Sequence, residues 1–213
     1  MLDGYFISGT DTNVGKTIVS AILVNKFDGI YFKPIQCGLS LDGKKDSDII
    51  KEICIRKTIL EEKYFLKTPA SPNIAAKIER KKIKIDDFKS FRNKKFSKKL
   101  FVEGAGGLSV PLNESSTMAD LAKFFQLPVI LVCRTSLGTI NHTLLSINLL
   151  SNKKIKLRGL VFVGKKELET IKTILKFGQR EYNKKIEILA TIPNLKKINK
   201  SSIDEMKNIF EEL

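Results

Sequence analysis

The 213-residue chain has no tryptophan, one histidine and three cysteines, and each scarcity closes off a class of chemistry. Cys37, Cys54 and Cys133 are odd in number and widely spaced, a pattern that fits neither a disulfide framework nor a zinc site. They read as reduced thiols of a reducing compartment. His142 has no G-x-S-x-G turn to serve, so a Ser-His-Asp hydrolase is unsupported. No uninterrupted apolar run approaches the length of a membrane-spanning helix. The opening MLDGYFISGTDTN lacks a basic segment leading into an apolar one, so no secretory signal is read. A cytoplasmic protein is the expectation. Arginine is also scarce. Of 38 basic residues six are Arg, namely Arg56, Arg80, Arg92, Arg134, Arg158 and Arg180. A net charge of +15 carried by lysine favours a solvated surface over bidentate reading of phosphates or bases. Neither a nucleic-acid nor a membrane partner is expected. The densest basic stretch, residues 79–99, carries Phe88 and Phe91 three apart, as on the buried side of an amphipathic helix.

What is present is an alternation. Short β-rich runs at 5–9, 30–35, 99–107, 129–133, 159–164 and 186–193 are separated by helix-length amphipathic segments. The last helix, 201–213, is expected to take Ser201 or Ser202 as its cap. Strands joined by crossover helices imply parallel pairing, and the near-continuous apolar runs VILVC and GLVFV fit strands buried on both faces. With 42% hydrophobic residues, no linker and no repeat, the chain is read as a single α/β domain spanning 1–213. Its sheet is mostly parallel, of about six to seven strands, with helices on both faces.

Between the first strand and the first helix lies Gly9-Thr10-Asp11-Thr12-Asn13-Val14-Gly15-Lys16-Thr17. This resembles a P-loop, in which backbone N–H groups at a helix N-terminus surround phosphates. Lys16 would reach the β- and γ-phosphates, and the Thr17 hydroxyl would hold Mg²⁺. The usual spacing is G-x-x-x-x-G-K-[ST]; Thr10 stands where its first Gly would, so the loop is a variant. Glu103 ends an apolar strand against Gly104, Gly106 and Gly107, well placed for a metal bound at the carboxyl edge of the sheet. Asp48, near a helix start, is the second carboxylate considered. Lys33 follows a buried strand at the same edge, where an ammonium can stabilise a transferring phosphoryl group or an oxyanion.

Several motifs in order resemble one family, the dethiobiotin synthetases: GTDTNVGKT (9–17), FKPIQCG (32–38), DSD (46–48), TPASPNIAAKIE (68–79), VEGAGGLSVPL (102–112), MADLAKFFQLPVILV (118–132) and LGTINHTLLSI (137–147). The resemblance implies a P-loop fold and a homodimeric, ATP- and Mg²⁺-dependent ligase. It would close the cyclic urea of dethiobiotin from 7,8-diaminononanoate and carbon dioxide. It implies nucleotide binding by Asn13, Val14, Gly15, Lys16, Thr17 and Ile18, and catalysis by Lys16, Lys33 and Thr12. Metal binding falls to Thr17, Asp48 and Glu103. Substrate contacts fall to Thr12, Lys33, Cys37, Gly106 and, at a helix N-terminus offered to the partner subunit, Leu137, Gly138, Thr139, Ile140 and Asn141. His142 is then a helix-entry residue. Three departures stand out. Cys37 replaces a common Ser, and the region after residue 150 resembles the family weakly, with Tyr182 a candidate for its substrate-contacting tyrosine. GLVFVGKKELE (159–169) lacks the Asn with which the family reads adenine, so relaxed nucleotide discrimination is expected. The competing reading is a partition-type switch ATPase acting on DNA or membranes, favoured by the charge. Against it, Thr10 and Asp11 stand where such ATPases place a second lysine. An amidotransferase of the cobyrinate type would need a glutaminase domain that 213 residues do not accommodate.

Overall fold

The computed structural model describes residues 2–195 and 197–210. Its element order is β1 (Gly4–Gly9), α1 (Lys16–Lys26), β2 (Ile30–Phe32), β3 (Ile35–Cys37), α2 (Asp46–Ile53), β4 (Thr58–Leu60), β5 (Tyr64–Leu66) and α3 (Pro72–Ile78). There follow α4 (Lys89–Arg92), β6 (Leu100–Gly107), α5 (Met118–Phe125), β7 (Val129–Arg134), α6 (Thr139–Asn152), β8 (Leu157–Val163), α7 (Leu168–Tyr182), β9 (Ile188–Ile192) and α8 (Lys200–Met206). Seven strands form one parallel sheet in the order β4-β2-β6-β1-β7-β8-β9, so every strand ends at the same edge.

Side-chain alternation divides the core between the two faces. Tyr5, Ile7, Phe101 and Ile130 pack with the apolar residues of α1, α2 and α8. Phe6, Val102, Leu131 and Phe162 pack on the other side with those of α3, α5, α6 and α7. The central strands are apolar on both sides, as parallel strands under two helical layers must be.

Four local features differ from the sequence reading. The run 30–35 is not one strand. Lys33 and Pro34 interrupt it, and the Pro34 carbonyl accepts from the Lys63 and Tyr64 N–H groups at 3.0 and 3.1 Å. This directs Ile35–Cys37 into a separate two-stranded sheet with β5. Proline lacks the N–H that continuation would need. Strands β4 and β5, three residues each, carry too short a pattern to be read from periodicity. The basic stretch folds as a 3₁₀ turn at Ile85–Phe88 and the single turn of α4, not as a long helix. Its phenylalanines still turn inward: Phe88 is buried, and Phe91 stacks on Phe32 with ring centroids 4.1 Å apart. The cap of α8 is Asn199 rather than Ser201 or Ser202. Its side chain accepts the Ser202 N–H at 3.0 Å while the Ser202 hydroxyl accepts the Asn199 N–H. Residues 211–213 of that expected helix lie outside the described part.

Candidate functional site

Glu103 is the centre of the site, and the pleat explains its aim. It lies two residues beyond Phe101 and opposite Ile7, both facing α1, so its side chain points beneath the first turns of that helix. It has no exposed surface. Four donors converge on it. Thr17 Oγ1 and Lys33 Nζ donate to Oε1 at 3.0 and 2.9 Å. Ser20 Oγ and Tyr31 Oη donate to Oε2 at 2.9 and 3.0 Å. A buried carboxylate this fully hydrogen-bonded is rigidly placed.

Lys33 sits where the break after β2 leaves it, at the carboxyl edge, and is nearly inaccessible to solvent. Its ammonium lies 2.6 Å from Asp46 Oδ2 and 2.9 Å from Glu103 Oε1, and it donates to the Gly104 carbonyl at 3.2 Å. Burial alone would lower its pKa, but Glu103 and Asp46 outweigh that and hold it above the ordinary lysine value. Lys33 is therefore charged. Asp46 feels the reciprocal effect: burial would raise its pKa, and the Lys33 charge more than offsets it, leaving the carboxyl below its usual value.

Asp46, and not Asp48, is the second carboxylate of this cluster. Asp48 Oδ2 accepts the Lys45 N–H at 3.1 Å and its other oxygen lies 3.8 Å from Lys51, so it caps its own helix and faces solvent. The reason is helical phase. Asp46 precedes the buried Ile50 and Ile53 by four and seven residues, on the inward face, and Asp48 does not share that spacing. Ser20 and Tyr31 were also missed: a helix interior and a strand interior give no local sign that both hydroxyls reach one carboxylate.

The loop between β1 and α1 holds its own groups. Lys16 Nζ donates to the Asp11 carbonyl at 2.9 Å across the loop. Burial, and then the nearby Lys33, lower its pKa to about 8. The Thr12 N–H is bound by Asp11 Oδ1 at 2.7 Å, and Thr12 itself stands exposed on the outer lip. Arg134, at the end of β7, donates to the Thr12 carbonyl at 2.6 Å and lies 3.5 Å from Asp11. Gly15 heads α1 with φ of 98°, a left-handed conformation, and a Cβ there would lie 3.2 Å from the Val163 side chain. Asn13, Val14, Gly15 and Ile18 line a cleft of about 630 Å³ that runs past Arg134, Thr135 and Ser136 to the ends of β8 and β9.

The other expected residues fall at different distances from this centre. Cys37 ends β3, half-buried, and burial pushes its thiol up to about 11, so it stays protonated. Gly106 continues β6 beyond Glu103 with φ of 64°, where a Cβ would come within 2.8 Å of Val110. Leu137 and Gly138 are exposed just ahead of α6, Thr139 is buried with its hydroxyl donated to the Arg134 carbonyl at 2.7 Å, and Ile140 and Asn141 form the first turn. His142 is exposed on that helix. Tyr182 is remote. Its hydroxyl accepts the N–H of Leu157, the first residue of β8, at 2.7 Å. It therefore closes the opposite edge of the sheet and contacts no part of the cleft.

A parallel sheet wound on both faces, with a phosphate loop between its first strand and first helix and a cleft along the strand ends, defines a P-loop nucleotide-binding protein. The fold agrees with that of a ParA family ATPase from Chlorobium tepidum TLS, which superposes with a TM-score of 0.56 over 97% of this chain and 98% of that one at 11% identity. The AAA_26 family model, an AAA domain, matches residues 3–202. ATP-dependent dethiobiotin synthetase BioD of Lawsonia intracellularis is 42% identical over 97% of this chain and 98% of its own. The protein of the same name from Rhodopseudomonas palustris (strain BisA53) is 39% identical over 92% and 88%. The chain belongs to the ATP-dependent dethiobiotin synthetase family. Among the described residues no helix is long and apolar enough to cross a membrane.

Proposed function

We propose that the protein closes the ureido ring of dethiobiotin from 7,8-diaminononanoate, carbon dioxide and ATP. The observation that carries this reading is the buried Lys33, held charged between Asp46 and Glu103, with Thr17 of the phosphate loop bound to the same Glu103 oxygen. A phosphoryl donor and an acceptor anion would meet there.

One amine of the substrate adds to carbon dioxide, loses a proton and becomes a carbamate. The Lys33 ammonium would hold that anion, with Thr12 orienting it from the loop lip and Cys37 and Gly106 bordering it. A carbamate oxygen attacks the γ-phosphorus in line, ADP departs, and a carbamic–phosphoric anhydride forms. The second amine attacks the carbonyl carbon, phosphate leaves with the C–O bond electrons, and the ring closes. Lys16 would follow the β- and γ-phosphates, and Asn13, Val14, Gly15, Thr17 and Ile18 would hold the nucleotide.

The donor set suits Mg²⁺. The Thr17 hydroxyl bonds Glu103 Oε1, and the Asp46 and Glu103 carboxylates flank Lys33; Thr17 and Glu103, with Asp46 or Asp48, would supply hard oxygen donors to the ion. Among the described residues no group of three or more His, Cys, Asp or Glu forms an all-protein cage, so phosphate oxygens and water would complete the shell. When bound, the ion supplies neutralisation of charge on the phosphoryl group. The exposed Leu137 and Gly138 and the first turn of α6, from Thr139 through Asn141, present the positive end of a 14-residue helix, with the Thr139 N–H bound to the Ser136 carbonyl at 3.1 Å. They suit the substrate's carboxylate, donated across a homodimer interface.

The test is phosphate release from ATP with Mg²⁺ and bicarbonate, with and without the diamine, and detection of dethiobiotin by mass spectrometry. Release that requires the diamine and yields dethiobiotin is expected. Hydrolysis indifferent to the diamine, or stimulated instead by DNA, would overturn the reading.

A further inference from the structure

The nucleotide cleft has a polar phosphate end and, at the ends of β8 and β9, a base end floored by Val163 and Gly164. β8 itself ends in valine and glycine there and offers the base no side-chain hydrogen-bond partner. The neighbouring strand changes this. Val163 pairs with Ile192 in register, so Asn194 lies two residues past the last paired position, on the cleft wall. Of the polar side chains lining this end, Lys165 and Glu167 face each other at 3.4 Å. Among the described residues the exposed Asn194 carboxamide has no partner. Thr191 and Lys166 lie beside it, but neither sets an acceptor and a donor side by side on one planar group as a carboxamide does.

We propose that Asn194 selects the nucleobase, as a specificity residue supplied by β9 in place of one on β8. A carboxamide presents an acceptor beside a donor. Adenine's Watson–Crick edge presents the complement, the N6 amine beside the N1 acceptor. Guanine presents two donors beside its O6 acceptor, and cytosine displaces the same pattern toward the sugar. The expectation of relaxed discrimination assumes that the reader must come from the fifth strand of the sequence pattern; the register brings one from the sixth. The inference rests on the ATP-dependent reading of the same cleft.

The experiment is calorimetric titration of ADP, GDP and CDP into the whole protein without diamine, comparing wild type, Asn194→Ala and Asn194→Asp. Wild type is expected to bind ADP roughly tenfold to a hundredfold more tightly than GDP or CDP, the range of one bidentate contact. Asn194→Ala is expected to lose that gap. Asn194→Asp, an acceptor only, is expected to shift preference toward GDP. A wild type without the gap, an alanine variant that keeps it, or an alanine variant that also loses affinity for inorganic pyrophosphate would overturn the proposal. Ring-closing activity assayed in parallel separates the two claims. Absent dethiobiotin with an intact ADP preference removes the ligase reading alone, and normal ring closure with the gap unmoved removes the Asn194 assignment alone.

Discussion

Beneath the phosphate loop Glu103, without exposed surface, accepts from Thr17, Ser20, Tyr31 and Lys33; in the cleft beyond the loop Asn194 stands exposed with no partner among the described residues. The first arrangement is a coupled network, in which removing one group leaves the others buried and unpaired. The second is a single side chain whose removal leaves the fold alone. On the proposed reading, the charge chemistry is tied to stability and selection of the base is separable from it.

Glu103→Gln should break the contrast most severely. Removing the buried charge leaves Lys33 with Asp46 alone, and stability should fall by about 3 kcal/mol in urea titration. Turnover with the diamine should fall roughly a hundredfold or more, the loss typical of a group placed for developing charge. Normal turnover would remove Glu103 from the site. Asp46→Asn compared with Asp48→Asn tests which of the two acids serves the reaction. The first should lower turnover about tenfold or more, and the second should change stability by less than about 0.5 kcal/mol. A larger effect at Asp48 would reverse the assignment. Tyr31→Phe keeps the ring and deletes one donor to Glu103, for a stability loss of about 1–2 kcal/mol.

Lys16 gives a test by pH. Its pKa of about 8 in the free protein means that the ammonium loses its proton above that pH. Phosphates bound beside it favour the charged form and raise the value, so nucleotide binding should take up a fraction of a proton near pH 8.5 and almost none near pH 6.5. Calorimetry of ADP in buffers of different ionisation enthalpy measures this. Equal uptake at both values would mean that the loop lysine is not perturbed as its burial implies. Smallest of all, Cys37→Ser replaces a weak donor by a stronger one and should alter turnover by no more than about twofold.

Most of the phosphate end was legible because its instructions are local. The P-loop follows a strand and opens a helix within nine residues, and Glu103 ends an apolar run against three glycines. The parallel sheet followed from the alternation of elements and the doubly buried strands. The contact of Asp46 with Lys33 follows from the phase of its helix. Ser20, Tyr31 and Arg134 were illegible for a different reason: their partners are 83, 72 and 122 residues away, and nothing local marks them. That Asn194 reaches the cleft follows from the register of β9 on β8, which no local pattern marks.

By itself the sequence determined which segments are strands and helices, the character of both sheet faces, and the loop that surrounds phosphate. These depend on periodicity and on backbone preferences that act within a few residues. Only the tertiary structure decided which carboxylate joins Lys33, which hydroxyls secure Glu103, and which strand end carries a carboxamide to the cleft. Those choices depend on register between strands and on the rotation of helices about their axes, where a shift of one or two residues sends a side chain to the other face.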